Sequence, residues 1–368
     1  MKTPRDRVRD ALQGVETIHP PFTWGFGPNA GAAAQLDEAF ARKNLDWSRL
    51  RRATEDVAWL HPRYVGAPLR EGQAEYMAIW GIETRRVDYG KGVYEDEIAK
   101  NPLAGLEEVA ELEDFPWPKV ADFDFTHVNR ARAELDPEGR RAVRLQGGNP
   151  FEIYSWMVGM EDAMMHLIAE PELVEAGLDH ICRFFKEHFE GQVKAFDGEV
   201  DLVLIADDLG MQQSLLLSLD TYRSVIKPFH RDLCAHVRKL LPGAVIEFHS
   251  DGSVFDVLPD LMDAGVQMLE AVQVECAKME PENLARAYGD RLMFQGGISV
   301  QQVLPFKSPE AVKAACRHLI DTLGSGGGYL AAPSHAIQVG TPTENLMAML
   351  EEVLGEERWR TALAEAAS

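Results

Sequence analysis

The sequence predicts an α/β protein folded as a (β/α)8 TIM barrel, with an N-terminal helical and hairpin elaboration. From about residue 140 onward, short apolar runs alternate with amphipathic helical stretches, and no β-hairpin turns separate them. This alternation is typical of a parallel sheet that is buried on both faces. Two further candidate strands lie nearer the N-terminus. The resulting eight strand–helix units in 368 residues favour a closed barrel over an open sheet.

The first 135 residues contain the predicted elaboration. Thr3 and Pro4 begin an amphipathic stretch that stops at Gly14, which predicts a capped first helix. Residues 21–26 and 56–60 predict the first two strands. We expect residues 1–368 to form one domain. Within it, the segment of about 66–135 is expected to be an insertion that holds a β-hairpin (82–94) and a rigid, proline-containing extended segment (115–118).

The remaining elements follow the chain in regular order. Six further strands are predicted at residues 142–145, 202–206, 244–248, 268–271, 292–294 and 329–332. The helical stretches between and around them are predicted at residues 160–168, 171–189, 218–241, 254–264, 281–288 and 309–323. No GxGxxG motif follows any of these strands, which argues against a dinucleotide-binding fold.

The composition excludes two classes of partner. The chain has 37 Lys and Arg against 59 Asp and Glu, so its formal net charge is −22. Such a protein repels nucleic acid and anionic lipid, and no run of 18 apolar residues predicts a membrane span. The four cysteines are scattered and the N-terminus does not resemble a secretory signal. We therefore expect reduced thiols and a cytoplasmic protein.

Polar side chains cluster where the predicted strands end, which is where barrel enzymes place their chemistry. His249 and Asp251 are two positions apart, so on an extended strand their side chains point to the same side. Such a pair can bind a divalent metal or form an oriented base. It can equally be a hydrogen-bonded pair that fixes a loop turning at Gly252. His335, which follows the last strand beyond a glycine-rich stretch, is either a further site residue or a turn residue.

Two adjacent carboxylates follow the fourth predicted strand. Because neighbouring side chains on a strand point to opposite sides, only one of Asp207 and Asp208 is expected to face the barrel mouth. A carboxylate in a poorly solvated mouth has a raised pKa and can carry a proton. The alternative is that one of the two caps the next helical turn.

These strand ends resemble the uroporphyrinogen decarboxylase superfamily. The stretches that carry the resemblance are DDLGMQ at 207–212, HSDG at 249–252, FQGGIS at 294–299, GGYLAAPSH at 327–335 and TPTEN at 341–345. The resemblance covers residues 140–350 well and the first 120 residues only loosely. It implies a (β/α)8 barrel, in agreement with the strand count.

One arm of that superfamily decarboxylates a tetrapyrrole with eight carboxylates, without a cofactor, by means of an arginine-rich N-terminal segment and a catalytic Asp. The corresponding segment here, residues 21–29, contains no arginine. A chain of charge −22 without that arginine clamp is a poor host for an octa-anion. The resemblance is therefore nearer to the other arm.

The other arm contains zinc-dependent methyltransferases of corrinoid systems, whose zinc is held by an HxC motif and a distant Cys. By position, His249 matches the histidine, while Asp251 and His335 stand where the two cysteines would be. This set suits zinc first, but also iron or manganese. Since thiolate ligands favour activation of a thiol, their replacement favours an oxygen or ether substrate polarised by the metal.

The resemblance implies a metal-dependent methyltransferase or O-demethylase-type enzyme that works with a corrinoid protein partner. The residues assigned to this function are the metal ligands His249, Asp251 and His335, the acid/base residues Glu152, Asp207 and Asp208, and the substrate contacts Gln146, Gln212, Gln295 and Trp24. Trp24 also has a plain alternative role in core packing. A homodimer is common in the decarboxylase arm.

Two alternatives stay open. The first is a cofactor-free decarboxylase that acts on a smaller carboxylated ring, with Asp207 or Asp208 as proton donor. The second is a binding barrel without catalytic activity, which the polar residues at the strand ends disfavour.

Overall fold

The computed structural model describes residues 2–70, 72–90 and 93–367. Its strands are β1 Val57–Trp59, β2 Arg63–Tyr64, β3 Glu83–Gly90, β4 Val93–Lys100, β5 Phe123–Asp124, β6 Ala142–Gly148, β7 Leu202–Ala206, β8 Val245–His249, β9 Met268–Ala271, β10 Met293–Ile298 and β11 Tyr329–Pro333. Seven of them form one parallel sheet in the order β1-β6-β7-β8-β9-β10-β11. This curled sheet and its surrounding helices confirm the predicted TIM-barrel-like α/β fold.

Fifteen helices are found among the described residues. They are α1 Pro4–Leu12, α2 Ala30–Ala41, α3 Trp47–Thr54, α4 Glu75–Ala78, α5 Val109–Asp114, α6 His127–Leu135, α7 Pro150–Val158, α8 Met160–Ala169, α9 Pro171–Ala195, α10 Leu219–Thr221, α11 Lys227–Leu240, α12 Leu258–Ala264, α13 Pro281–Tyr288, α14 Pro309–Leu323 and α15 Thr343–Ala367. A π-helical turn, Tyr222–Ile226, joins α10 to α11. Within the described part of the chain, no helix is both long and apolar enough to cross a bilayer.

The sheet is closed into a ring by the segment that was predicted as the first strand. The backbone of residues 21–23 hydrogen-bonds on both sides: Thr23 N donates to Ala331 O, Ala331 N donates to Pro21 O, and Asp56 N donates to Phe22 O. Only Phe22 makes a regular bridge, so the strand expected over residues 21–26 is much shorter than predicted. Gly25 and Gly27 both have positive φ, and they turn the chain out of the strand.

The interior of the barrel is layered, because alternate side chains of every strand point inward. The bottom layer is apolar and consists of the first inward residues of the strands, covered by Val8 of α1. Its strand members are Val57, Ala142, Leu202, Val245, Met268 and Leu330. Two positions further along β6, β8 and β9, the inward residues are the charged Arg144, Glu247 and Glu270. On β7 and β11 the corresponding residues, Leu204 and Ala332, are apolar, so the apolar layer supports a partly polar one that faces the mouth.

The elaboration follows the predicted pattern in part. Strands β3 and β4 form an antiparallel hairpin, which confirms the predicted hairpin, while its tip at residues 91–92 lies outside the described residues. The short strands β2 and β5 pair with each other and lie near the two ends of the predicted insertion. Thr3 caps α1 in a capping box with Asp6, as the Thr-Pro start predicts. The helix expected over residues 254–264 begins only at Leu258.

Candidate functional site

Three side chains of metal-ligand type come together at the C-terminal end of the barrel. His249 ends β8, Asp251 lies two positions further on, and His335 follows β11; one ligand atom from each lies within 4.8 Å of the others. The His249 Nε2 atom is 4.0 Å from Asp251 Oδ1, and the His335 Nε2 atom is 3.7 Å from Asp251 Oδ2. The structure therefore places the three predicted ligands in one cluster.

His249 is oriented by a carboxylate on the neighbouring strand. Its Nδ1 atom donates a 2.5 Å hydrogen bond to Glu270 Oε2, which leaves Nε2 facing Asp251 and Asp208. Burial by itself would lower the pKa of His249, but the facing Glu270, with help from Asp208 and Asp251, raises that pKa to about 10. Without a metal the imidazole is thus protonated at neutral pH, and a metal at Nε2 must displace that proton.

The donor set fits a divalent metal. Asp251 Oδ1 is buried and has no hydrogen-bond partner among the described atoms, although a buried polar atom normally has one. Two imidazoles and one carboxylate suit zinc, iron and manganese, and three protein ligands are typical of a catalytic site that keeps a position open for a substrate. The hydrogen bond that His249 donates to Glu270 is the kind of support that metal-binding histidines commonly have.

A buried charged network lies beneath the cluster. Arg144 Nη2 donates to Glu247 Oε1 at 2.9 Å and also to Gln295 Oε1, and Arg144 Nε lies 2.7 Å from Glu247 Oε2. Gln295 is fully buried and bonded to this arginine, so it supports the floor of the site and has no surface for the substrate contact that was predicted. Arg144, Glu247 and Glu270 were missed in the sequence, although charged residues inside apolar strand runs are a signal that could have found them.

Asp207, for which the sequence predicts an acid/base role, is buried and anchors the start of α7. The side chain is 0% exposed. Its two oxygens accept hydrogen bonds from the backbone N–H groups of Phe151 (3.0 Å) and Glu152 (2.7 Å), at the start of α7. His230 Nε2 lies 2.7 Å from Oδ2, and the other ring nitrogen of His230 bonds Tyr222. Asp207 therefore caps a helix, which is the alternative that the sequence left open. The capped helix is α7, which belongs to the preceding strand–helix unit and not to the turn after Asp207.

Replacing Asp207 with alanine is expected to lower the free energy of unfolding by about 3 kcal/mol or more, because it leaves two helix N–H groups and a buried imidazole without their acceptor. Urea denaturation followed by circular dichroism measures this. Asp179→Ala, which removes an exposed carboxylate paired with Arg183, serves as the control and should change stability by less than about 0.5 kcal/mol. A loss below about 1 kcal/mol for Asp207→Ala contradicts the anchoring role.

Asp208 and Glu152 are the carboxylates on the mouth side. Asp208 is 43% exposed, and its Oδ1 atom accepts from Asp251 N at 2.9 Å and lies 3.7 Å from His249 Nε2. Glu152 sits in the first turn of α7, where Asn149 Nδ2 donates to it. Burial, assisted by the negative charges of Asp208 and Asp207, raises the pKa of Glu152 to about 8. Glu152 is therefore mainly a neutral acid at pH 7 and can donate a proton.

An aromatic wall stands beside the cluster. The ring of Phe26 lies 5.0 Å from the His249 ring, 5.2 Å from the His335 ring and 5.7 Å from the Trp59 ring, measured between centroids. Trp59 Nε1 is buried without a hydrogen-bond acceptor among the described atoms. Trp24, by contrast, is 0% exposed, packs against Trp47 and donates to Thr54. Trp24 thus packs in the core, and Phe26 is the ring of this segment that lies beside the cluster.

The two other predicted substrate residues have different surroundings. Gln146 lies two positions after the inward-facing Arg144 on β6, so its side chain belongs to the mouth side of the barrel. Gln212 lies in an exposed loop, where its Oε1 atom accepts from Cys276 Sγ at 3.3 Å.

A cleft of about 550 Å³ opens beside Asp251 and His335. Its other lining residues are uncharged: three glutamines and an apolar rim. They include Gln273, Gln301, Gln338, Val300, Pro305 and Phe306. Beyond Asp251 and His335, the cleft therefore offers amide and apolar contacts and no cation.

Comparisons with known protein families and structures agree with this fold. The family model described as Uroporphyrinogen decarboxylase (URO-D) matches residues 85–355. A uroporphyrinogen decarboxylase of Burkholderia thailandensis is 28% identical over 237 residues, 60% of each chain, and one of Paraburkholderia phytofirmans is 27% identical over 256 residues, 64% of this chain and 65% of that one. The chain thus spans less than two thirds of the length of these relatives. Among solved structures, a methyltransferase from Methanosarcina mazei superposes with a TM-score of 0.66 at 18% identity, covering 96% of this chain and 98% of that one; this likeness concerns the fold.

Proposed function

Because the chain belongs to the uroporphyrinogen decarboxylase family, we propose that it is a metal-dependent methyltransferase of O-demethylase type, which transfers a methyl group from an ether oxygen to a corrinoid protein partner. The observation that carries the proposal is the cluster of His249, Asp251 and His335 at the strand ends. Among the described residues this cluster contains no thiolate, so its donors favour activation of an oxygen over activation of a thiol.

A divalent metal held by these three residues would supply Lewis-acid polarisation of the substrate oxygen. The chain's own groups account for the rest. Glu270 holds His249 so that Nε2 faces the site, and Phe26 provides an apolar surface over both histidines. When the C–O bond breaks and the methyl carbon bonds to its acceptor, the oxygen that is left behind needs a proton. Glu152, held neutral by burial and by neighbouring carboxylates, is the proton donor we assign.

The charges around the mouth support a substrate without carboxylates. Asp208, Asp251 and Glu270 bring negative charge to the site. Arg144 lies beneath them, fully buried and paired with Glu247. A substrate with many carboxylates would therefore meet repulsion at this cluster, and the described lining of the adjacent cleft holds no guanidinium to offset it. This weighs against a porphyrinogen substrate and for a neutral ether.

The decisive experiment measures methyl transfer from 2-methoxyphenol to free, chemically reduced cobalamin, which stands in for the partner. The protein is stripped of metal and reloaded with one equivalent of zinc, iron or manganese. Formation of methylcobalamin that depends on added metal and stops with a chelator is the expected result. Release of CO2 from carboxylated ring substrates, unaffected by the chelator, would instead establish the cofactor-free decarboxylase.

A further inference from the structure

A second cleft, of about 700 Å³, lies at the opposite end of the barrel. It is bordered by the start of α1, the end of α3, the loop that leads into β6 and the last turns of α15. The kink of α15 at Gly355, whose φ is 76°, separates its second half from its first. The cleft is therefore far from the mouth and takes no part in the chemistry proposed above.

The lining of this cleft is unusually cationic for so acidic a chain. The net charge of the whole chain is −22, yet the lining holds seven of its cations. They are Lys2, Arg7, Arg49, Arg52, Arg140, Arg141 and Arg358. Such a local concentration of guanidinium groups within a negative surface requires an explanation beyond solubility.

Most carboxylates of the cleft are already engaged. The two oxygens of Asp136 accept from the backbone N–H groups of Arg140 and Arg141, both at 2.9 Å. The two oxygens of Glu55 accept from the backbone N–H groups of Val57 and Trp24. Glu138 pairs with Arg140, and the two other carboxylates of the lining, Glu134 and Glu365, are exposed.

The guanidinium groups, in contrast, are incompletely matched. Arg7 and Arg358 share the single carboxylate of Asp56. Arg358, only 16% exposed, has a buried Nη1 atom without an acceptor among the described residues. Arg141 donates to the backbone carbonyls of Leu135 and Arg52. In the described part of the chain, neither Arg141 nor Arg52 has a carboxylate within ion-pair distance.

We infer that this cleft binds a polyphosphate group, either free or carried by a nucleotide. Guanidinium groups match phosphate oxygens with paired N–H donors, and several of them can engage adjacent phosphoryl groups at once. A multivalent anion gains more than a monovalent one from the local positive field of the cleft, because its interaction energy scales with its charge. The volume is in the range of pockets that hold small molecules. The inference does not depend on the proposed function.

Isothermal titration calorimetry with sodium pyrophosphate tests whether the cleft binds a polyphosphate group. The full chain is kept free of metal with EDTA, and the ionic strength is held constant. We expect saturable binding that becomes roughly tenfold weaker in Arg52→Gln and weaker still in the Arg52→Gln/Arg141→Gln double variant. Arg52 is exposed and makes no described side-chain bond, so its replacement leaves the fold intact. The control Arg286→Gln, an exposed arginine on α13, should bind like the parent chain.

Parallel titrations with ATP and orthophosphate identify the source of the phosphate. Tighter binding of pyrophosphate and ATP than of orthophosphate supports recognition of a phosphate chain, and a clear preference for ATP assigns the site to a nucleotide. Equal weak binding in the parent and the double variant would overturn the inference. If chloride at the same ionic strength produced the same heat effects, the cleft would bind an adventitious ion only, and the inference would be overturned.

Discussion

Replacing His249 with alanine is expected to abolish stoichiometric binding of a divalent metal. The change removes one of three donors and leaves Glu270 facing a void, since Glu270 Oε2 now bonds His249 Nδ1. The loss of affinity should exceed about 100-fold, because changes confined to the residues behind a ligand already cost 10- to 100-fold. Metal content after dialysis and competition with a chromophoric chelator measure the effect, and methyl transfer should disappear with the metal.

A matched variant distinguishes the loss of the metal site from the general effect of removing a histidine. His318 is exposed on α14 and pairs with Glu282, so His318→Ala should retain one metal per chain. Glu270→Gln gives an intermediate result, because the amide keeps a hydrogen-bond partner for His249 but loses the charge: we expect affinity 10- to 100-fold below that of the parent chain. An unchanged metal content in His249→Ala would refute the proposed centre.

Replacing Glu152 with glutamine is expected to lower kcat by about 10²- to 10⁴-fold, because glutamine cannot supply the proton that the leaving oxygen needs. The pH profile gives the sharper test. The pKa of Glu152 is raised to about 8, so in the parent chain the acid form dominates below pH 8. The rate should be level there and should fall about tenfold per pH unit above it. In Glu152→Gln the residual rate should lose this alkaline limb.

The same raised pKa predicts a change in stability. A carboxyl group whose pKa rises on folding favours the folded state most at low pH. This contribution is lost as pH rises from the usual value of 4.5 through about 8. Glu152→Gln should therefore be relatively more stable than the parent chain above pH 8. Glu161→Gln, an exposed change on α8, is the control for the pH–rate profile and for the stability measurement. If the fall in rate above pH 8 persisted in Glu152→Gln, another group would be responsible for it.

Local rules were enough to predict where His249 and Asp251 lie, whereas the family resemblance assigned His335 to the same cluster. The spacing of His249 and Asp251, together with the rule that barrel chemistry lies at the carboxyl ends of strands, brought them to one end of the fold. Alternation along the strand also separated the buried Asp207 from the exposed Asp208. These inferences needed only the direction and period of a strand.

The roles of Asp207 and Trp24 depend on distant parts of the chain, which a single sequence does not pair. The partners of Asp207 are His230 and the start of α7, and no local pattern brings these segments together. Trp24 and Phe26 both lie after the end of the short strand, and Phe26 stands between Gly25 and Gly27, which have positive φ. The rule that successive side chains point to opposite faces of a strand no longer applies there. The sequence therefore did not show which of the two rings enters the core. The pairing of Arg144 with Glu247 likewise joins two strands, β6 and β8, that are separated by β7 in the sheet.

The closure of the barrel at Phe22 has a consequence for how the chain folds. The segment that completes the ring pairs with Ala331, about 300 residues later in the sequence, so its hydrogen bonds cannot form until nearly the whole chain is present. Until then β1 and β11 are open strand edges, ready to pair with another chain. A few backbone hydrogen bonds from residues 21–23 thus end the period in which the chain is prone to aggregation, and they make ring closure a late event in folding.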